Sequence, residues 1–268
     1  MCHGYVKYLL KKHGYCKRKL YKNLPIGEYA KRNQQFEIIF RLVGIVSSSS
    51  GPILSIDTKK KERLGNLYRA GSYYSNTTIE VLDHDFEYLA EGKVIPHGIY
   101  DLKANQGYIS IGTNYETAEF LCDNILWWWE NFGIHNYPAC KHIMLLCDSG
   151  GANSYRHHAF KKELQRVAAH IGVRIIVCHY PPYSSKWNPI EHRLFPHVHR
   201  AMQGVVFSSY EIVKELIEKT WTKAGLSVVA RIVRKLYKKG IKCSKDEVDQ
   251  KRIFYHPDLP ELSYSILP

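Results

Sequence analysis

The sequence predicts an α/β fold, a mixed central sheet covered by helices on both faces. Three observations predict it. The runs "PILSID" (52–57), "HIMLLCD" (142–148) and "VRIIVCHY" (173–180) are apolar and have the length of buried strands. "HGIYDLK" and "YISIGT" flank the turn "ANQG", so the sheet opens with an antiparallel hairpin. Helical spacing then separates the later apolar runs, which is the pattern of parallel strands joined by crossover helices.

Taken in order, "YVKYLLKKHGY" (5–15) places apolar residues at 6, 9 and 10 and then a glycine, one short amphipathic helix with a stop. A basic connector follows, with a second helix around "YAKRNQQFEIIFRLV" and a flexible break at "SSSSG" (47–51). The first strand comes next, then a polar, irregular stretch over 58–94, then the hairpin. "ETAEFLCDNILWWWENFG" has apolar positions 118, 120, 121, 125, 126 and 129, a helix with one broad buried face. A helix over 154–171 joins the second and third apolar strands, and "PPYSS" breaks the chain before a helix that starts at Asn188. "SSYEIVKELIEKTW" opens with Ser208 three residues before Glu211, a capping box, and the chain ends in an extended tail. The expected organisation is a basic helical segment over 1–46, a catalytic α/β domain over 52–207, and a helical extension with a tail over 208–268.

Composition narrows the partners. The 268 residues are 45% hydrophobic and 24% charged, enough for a sizeable core, and no apolar run approaches the ~20 residues of a membrane span. Seven scattered cysteines without a CxxC pair read as buried free thiols in a reducing compartment. The net charge is +13, and residues 1–41 carry ten Lys or Arg against two acids, so +8 of it lies there. Such a balance points to a polyanion, nucleic acid first, because basic patches release counterions from phosphates. No GxxxxGK[ST] loop exists, so no nucleotide cofactor is expected. The clustered histidines lack the paired spacing of a zinc site.

Three acids stand at special places: Asp57 ends the first strand, Asp148 ends a later one, and Glu191 begins a helix. The gap of 43 residues from Asp148 to Glu191 holds one helix and one strand, which returns the chain to the same sheet edge. Glu191 shares a helical face with Leu194, Phe195 and Val198, so burying those residues aims the carboxylate at the sheet. Each acid alone suits turn or cap chemistry, and Glu191 also fits as the reciprocal partner in an Asn188 cap. Together, in a basic protein, they point to a hard divalent cation, because converging carboxylates otherwise repel.

The motifs "SIDTKKKERLGN", "HDFEYLAEGKVIPHGIYDLKANQGYISIGTNYETAEF", "LLCDSGGANSYR" and "CHYPPYSSKWNPIEHRLF" resemble, in that order, the ISAzo-thirteen-like branch of the DDE transposases of bacterial insertion sequences. The resemblance runs from about residue 52 to the C-terminus. It implies a ribonuclease H-like fold with a five-stranded mixed sheet, and Asp57, Asp148 and Glu191 as catalytic and metal-binding triad. It further implies two Mg²⁺ or Mn²⁺ ions, insertion-sequence ends and target DNA as partners, a homo-oligomer on DNA, and a bacterial cytoplasmic, nucleoid-associated setting. On the same resemblance, the chain starts inside a longer N-terminal DNA-recognition region. Lys59, Lys60, Lys61 and Lys186 are expected to bind phosphates near the scissile bond, with Lys17, Arg18 and Lys19 on the basic linker and Trp187 on an unpaired base. Asn153, Asn188 and His192 are expected beside the metal ligands. A simple nuclease of the same fold and a non-catalytic DNA-binding remnant remain alternatives.

Overall fold

The computed structural model describes residues 2–19 and 29–268, so the connector expected before the second helix lies partly outside the described residues. In chain order the elements are α1 (His3–Lys12), α2 (Arg32–Ser47), β1 (Ile53–Thr58), β2 (Glu62–Leu64), β3 (Gly92–Asp101), β4 (Gln106–Gly112), α3 (Ala118–Trp128) and α4 (Ile134–Asn136). The second half adds β5 (His142–Cys147), α5 (His158–Ile171), β6 (Arg174–His179), α6 (Ile190–Arg193), α7 (Phe195–Ala201), α8 (Tyr210–Glu218), β7 (Ser227–Val233), β8 (Ile253–Tyr255) and β9 (Ser263–Ile266).

The strands form one sheet in the order β7-β4-β3-β1-β5-β6-β9-β8, with β2 paired to β3 off that path. β3 is antiparallel to both β1 and β4, whereas β1, β5 and β6 run parallel. The expected mixed sheet is therefore present, but with nine strands among the described residues rather than five. The surplus comes from two sources. Residues 62–64 pair within the stretch read as irregular, and the C-terminal part contributes β7, β8 and β9 rather than helix and tail alone. "SVVARIV" and "SYSI" are short and carry arginine and serine, so they lack the continuous apolar run that marked the central strands.

Alternation along β1 divides the molecule. Leu54 and Ile56 join the core made with α3 and α5, including Trp128, Phe160 and Leu164. Ile53 faces the opposite way, into the cluster closed by Ile39 and Val46 of α2. Ser55 and Asp57 follow Ile53 at steps of two and so share the α2 face. On that same side α6, α7 and α8 cover β3, β4 and β7 through Ile190, Leu194, Phe195, Val198 and Val213. Gln35, fully buried in α2, donates to the His179 carbonyl at 2.8 Å and to Ser263 Oγ at 3.0 Å, which fastens α2 across β6 and β9. The "SSSSG" break is packed rather than loose: Ser49 Oγ contacts His142 Nε2 at 2.9 Å, and Gly51 lies against the His142 carbonyl, where no Cβ would fit. α1 buries no residue, and Gly14 ends it at φ 80°.

Candidate active site

β1, β4, β5 and β6 point the same way, so their carboxyl ends open on one edge of the sheet. Asp57 is the penultimate residue of β1, and Asp148 follows β5 directly. One Asp57 oxygen, Oδ1, accepts the Thr58 amide at 2.7 Å. Glu191 reaches the same point from α6 and shares a hydrogen bond with the Asp57 carboxyl. The structure thus brings the three acids together.

The position of Glu191 depends on a clip that differs from the expected cap. Asn188 is fully buried, but it does not cap the helix: its amide N–H closes the preceding one-turn helix on the Ser185 carbonyl at 2.8 Å. Its side chain is turned to β1, accepting from Ser55 Oγ and donating Nδ2 to the Ile56 carbonyl at 3.2 Å. Ser55 Oγ accepts in turn from the Ile190 amide at 2.9 Å. The physical reason is solvation. Ser55 is a buried hydroxyl in a central strand, and the residues opening α6 supply its partners. The helix expected from Asn188 onward is also two helices. It breaks at Leu194 (φ −122°, ψ −59°), ahead of Pro196, whose ring removes a helical N–H. Leu194, Phe195 and Val198 are all buried, as the shared face with Glu191 requires.

Gly98 completes the seat. It pairs with Asp57 across β1 and β3, and a Cβ there would lie 2.7 Å from Phe195 Cε1 and 2.8 Å from Ile190 Cδ1. Gly98→Ala is expected to push α6 off the sheet, destabilising the protein by about 1–3 kcal/mol and displacing Glu191. Thermal unfolding and DNA cleavage measured on one preparation check both effects.

The electrostatics are those of a site short of positive charge. Burial, the Asp148 charge and the Glu191 hydrogen bond push the Asp57 carboxyl up to about 9. Burial raises Asp148 to about 6, against the Gly150 amide and the Asn153 side chain, which lower it. Asp148 Oδ1 is buried without a hydrogen-bond partner, and so is Asn153 Nδ2. Among the described residues no three His, Cys, Asp or Glu side chains stand at metal-binding spacing as they are. The donor set nonetheless fits a hard cation: all-oxygen, crowded with negative charge, and holding an unpartnered carboxylate oxygen.

Asp57 binds its proton more tightly folded than unfolded, so the metal-free protein gains stability as pH falls from about 9. Asp148, raised to about 6, adds to the gain, which levels off below about 6, because buried His97 and His179, lowered to about 3 and about 4, must stay neutral in the fold. Urea unfolding in a chelator is expected to show stability rising as pH falls from about 9 to about 6 and little change just below that, and added Mn²⁺ to flatten the alkaline limb.

The remaining expected residues divide. Lys60 is exposed and, with Glu191, Tyr68, Arg69 and His199, lines a cavity of about 540 Å³. Lys61 is half exposed and held at 2.9 Å by Glu116. Lys59 is 7% exposed and paired with Glu62 at 2.9 Å, and it lines the same cavity. Lys186 and Trp187 are exposed beside α6, and Lys17, Arg18 and Lys19 are exposed beyond α1. Asn153 does stand against Asp148. His192 does not face the acids. Its Nε2 meets the Lys186 carbonyl on the outer side of α6.

Two neighbours were missed. Glu116 follows β4 and is the largest charge raising Asp148 besides burial, making it a fourth carboxylate at this edge. The rule that located Asp57 and Asp148, an acid just past a strand end, applies to it once β4 is known to run with β1. His179 ends β6 and donates Nδ1–H to the Asp148 carbonyl at 3.0 Å while accepting from Tyr264 at 3.2 Å, so it fixes the backbone that carries the acid.

The model described as "Rhodopirellula transposase DDE domain" matches residues 1–268, the whole chain. The chain belongs to this family of transposase DDE domains. Its fold is also that of Mos1 mariner transposase structures. The paired-end complex with Mn gives a TM-score of 0.50 at 17% identity, covering 81% of this chain and 62% of that one. The pre-cleavage transpososome gives 0.52 at 17% identity with the same coverage. The strand transfer complex gives 0.52 at 15% identity, covering 81% of this chain and 61% of that one. This DDE domain therefore spans about 62% of the length of the Mos1 chains. No curated protein matches it. Among the described residues no helix is long and apolar enough to cross a membrane.

Proposed function

We propose that this DDE domain catalyses strand cleavage and strand transfer of an insertion sequence, using divalent cations. The observation that carries the reading is the convergence of Asp57, Asp148 and Glu191 at one sheet edge of a chain in this family. Asp57, Asp148 and Glu191 would hold two Mg²⁺ or Mn²⁺ ions; Mos1 complexes of the same fold were solved with Mn and with Mg. When bound, such ions neutralise charge developing on the attacking and leaving oxygens of an in-line displacement at phosphorus.

The protein's own groups position and solvate. The Lys60 and Lys61 ammonium groups stand at the rim of the carboxylates and hold the phosphates flanking the scissile bond, with Glu116 fixing where the Lys61 head group sits. Lys186 holds the strand on the side of α6 away from the Lys60 cavity. The clip of Ser55, Asn188 and Ile190 keeps Glu191 at fixed distance from β1. No side chain serves as nucleophile. Water displaces a 3′ oxygen from phosphorus, and the freed 3′-hydroxyl then displaces an oxygen of target DNA, so no covalent protein–DNA intermediate forms. The chain acts as at least a dimer on paired DNA ends, with the basic residues 17–19 on DNA outside the site.

The test is cleavage and joining of DNA bearing the element's ends, in Mn²⁺ and in Mg²⁺. Nicked ends joined to a second DNA support the reading. Nicking without joining assigns a nuclease instead, and binding without nicking assigns a DNA-binding remnant.

A further inference from the structure

α2 and the one-turn helix before α6 meet in a cluster of aromatic rings that the carboxylate chemistry does not use. Phe36 is its centre, with ring centroids 6.4 Å from Phe40, 5.9 Å from Tyr180 and 6.0 Å from Trp187. Tyr180 is buried, but Phe40 is 70% exposed and Trp187 53%. A cation stands by each of two rings: the Arg32 guanidinium is 5.9 Å from the Phe36 centroid, and the Lys186 ammonium is 5.7 Å from that of Trp187. Contiguous exposed rings of this kind mark a contact surface.

The backbone ties this surface to the acids at two points. The Tyr180 carbonyl accepts from Ser149, the residue after Asp148. Trp187 immediately precedes Asn188, whose side chain is bound to β1 at Ile56, the residue before Asp57. Both ties join the ring cluster to residues next to Asp57 and Asp148 in the chain.

We infer that the Phe36–Phe40–Trp187 cluster is a stacking platform for an unpaired stretch of DNA beside the catalytic centre, an inference that rests on the DNA reading above. Bases within a duplex have both faces covered by neighbours, and only unpaired bases offer a face to a ring. Charge selects the same partner. Arg32 and Lys186 stand against the rings, Lys31 and Arg41 are exposed on the same segment, and Glu37 is the one acid on α2. Phosphates satisfy those cations while the bases stack, and stacking of this kind tolerates any sequence.

The experiment is fluorescence anisotropy with the full chain in Ca²⁺, comparing a blunt duplex with the same duplex carrying an unpaired 3′ tail of about six nucleotides, within the footprint of one such face. The tailed DNA is expected to bind roughly tenfold tighter, as one or two stacked bases supply. Phe40→Ala and Trp187→Ala should each remove most of that preference, while Trp187→Phe, which keeps a ring, retains it. Phe40 is exposed, so its variant keeps the fold, which circular dichroism checks. Equal affinity for tailed and blunt DNA overturns the platform and leaves the DNA reading intact. A tail preference that survives Phe40→Ala while the oligomeric state changes also overturns it, making the rings a contact between copies. Failure to bind either DNA overturns the DNA reading itself.

Discussion

Asp148→Asn should lower metal-dependent strand cleavage by at least roughly 10³-fold, since one carboxylate ligand accounts for several kcal/mol of transition-state charge stabilisation. The same substitution should make the metal-free protein more stable. Asp148 is raised to about 6 by burial and by the charges of Glu116 and Glu191, so at pH 8 the fold holds an ionised group it resists. One of its oxygens is also buried without a partner. An uncharged amide of the same shape removes that repulsion and provides an N–H able to donate to the neighbouring acids. A gain of about 1–3 kcal/mol follows, or ~5 °C in thermal midpoint for a chain of this size. The sign is what discriminates. A structural aspartate at a turn would lose stability on becoming Asn, and activity would fall only as far as folding did. Loss of cleavage with a gain in stability marks an acid kept for chemistry at the expense of the fold. Cleavage that persists in the variant removes Asp148 from the reaction.

The fold and the meeting of the three acids at one sheet edge were legible in the sequence for the same physical reason. Buried parallel strands are continuous apolar runs, and an acid that terminates such a run is both unusual and confined to the carboxyl edge, so "PILSID" and "HIMLLCD" announced strand and site together. The outer strands carried no such signal. β2, β8 and β9 are three or four residues long, and β7 ends in partly buried residues, so their place in the sheet follows from pairing with strands far away in sequence. Glu116 was hidden for a related reason. A hairpin strand gives no direction until its partners are known, and only β4 running with β1 places Glu116 at the catalytic edge. Lys59 shows the converse: three consecutive lysines read as one basic loop, yet the start of β2 turns the first onto Glu62.

The largest effect away from the acids is expected at Asn188. Sequence alone gives it a helix-capping role, for which truncation costs ~1 kcal/mol and leaves the site in place. The structure gives it a different duty. Asn188 joins α6 to β1 by accepting from Ser55 Oγ and donating to the Ile56 carbonyl, one residue before Asp57, and Glu191 lies three residues further along the chain. Asn188→Ala leaves a buried hydroxyl and a buried carbonyl with one partner fewer, a loss of about 2–4 kcal/mol. It also frees α6 to drift from the sheet. Displacement of a catalytic group by an ångström costs roughly 10²-fold in rate, so cleavage should fall by about that factor even where the variant is fully folded. Asn188→Asp separates the two effects. The carboxylate can still accept from Ser55 but cannot donate to Ile56, and it adds a further negative charge beside Asp57. That variant should fold less well at pH 8 than at pH 6, where it is more readily protonated, whereas Asn188→Ala should lose similar stability at both. Cleavage measured alongside unfolding at the two pH values checks the argument, and wild-type cleavage by a destabilised Asn188→Ala would show that the clip does not position Glu191.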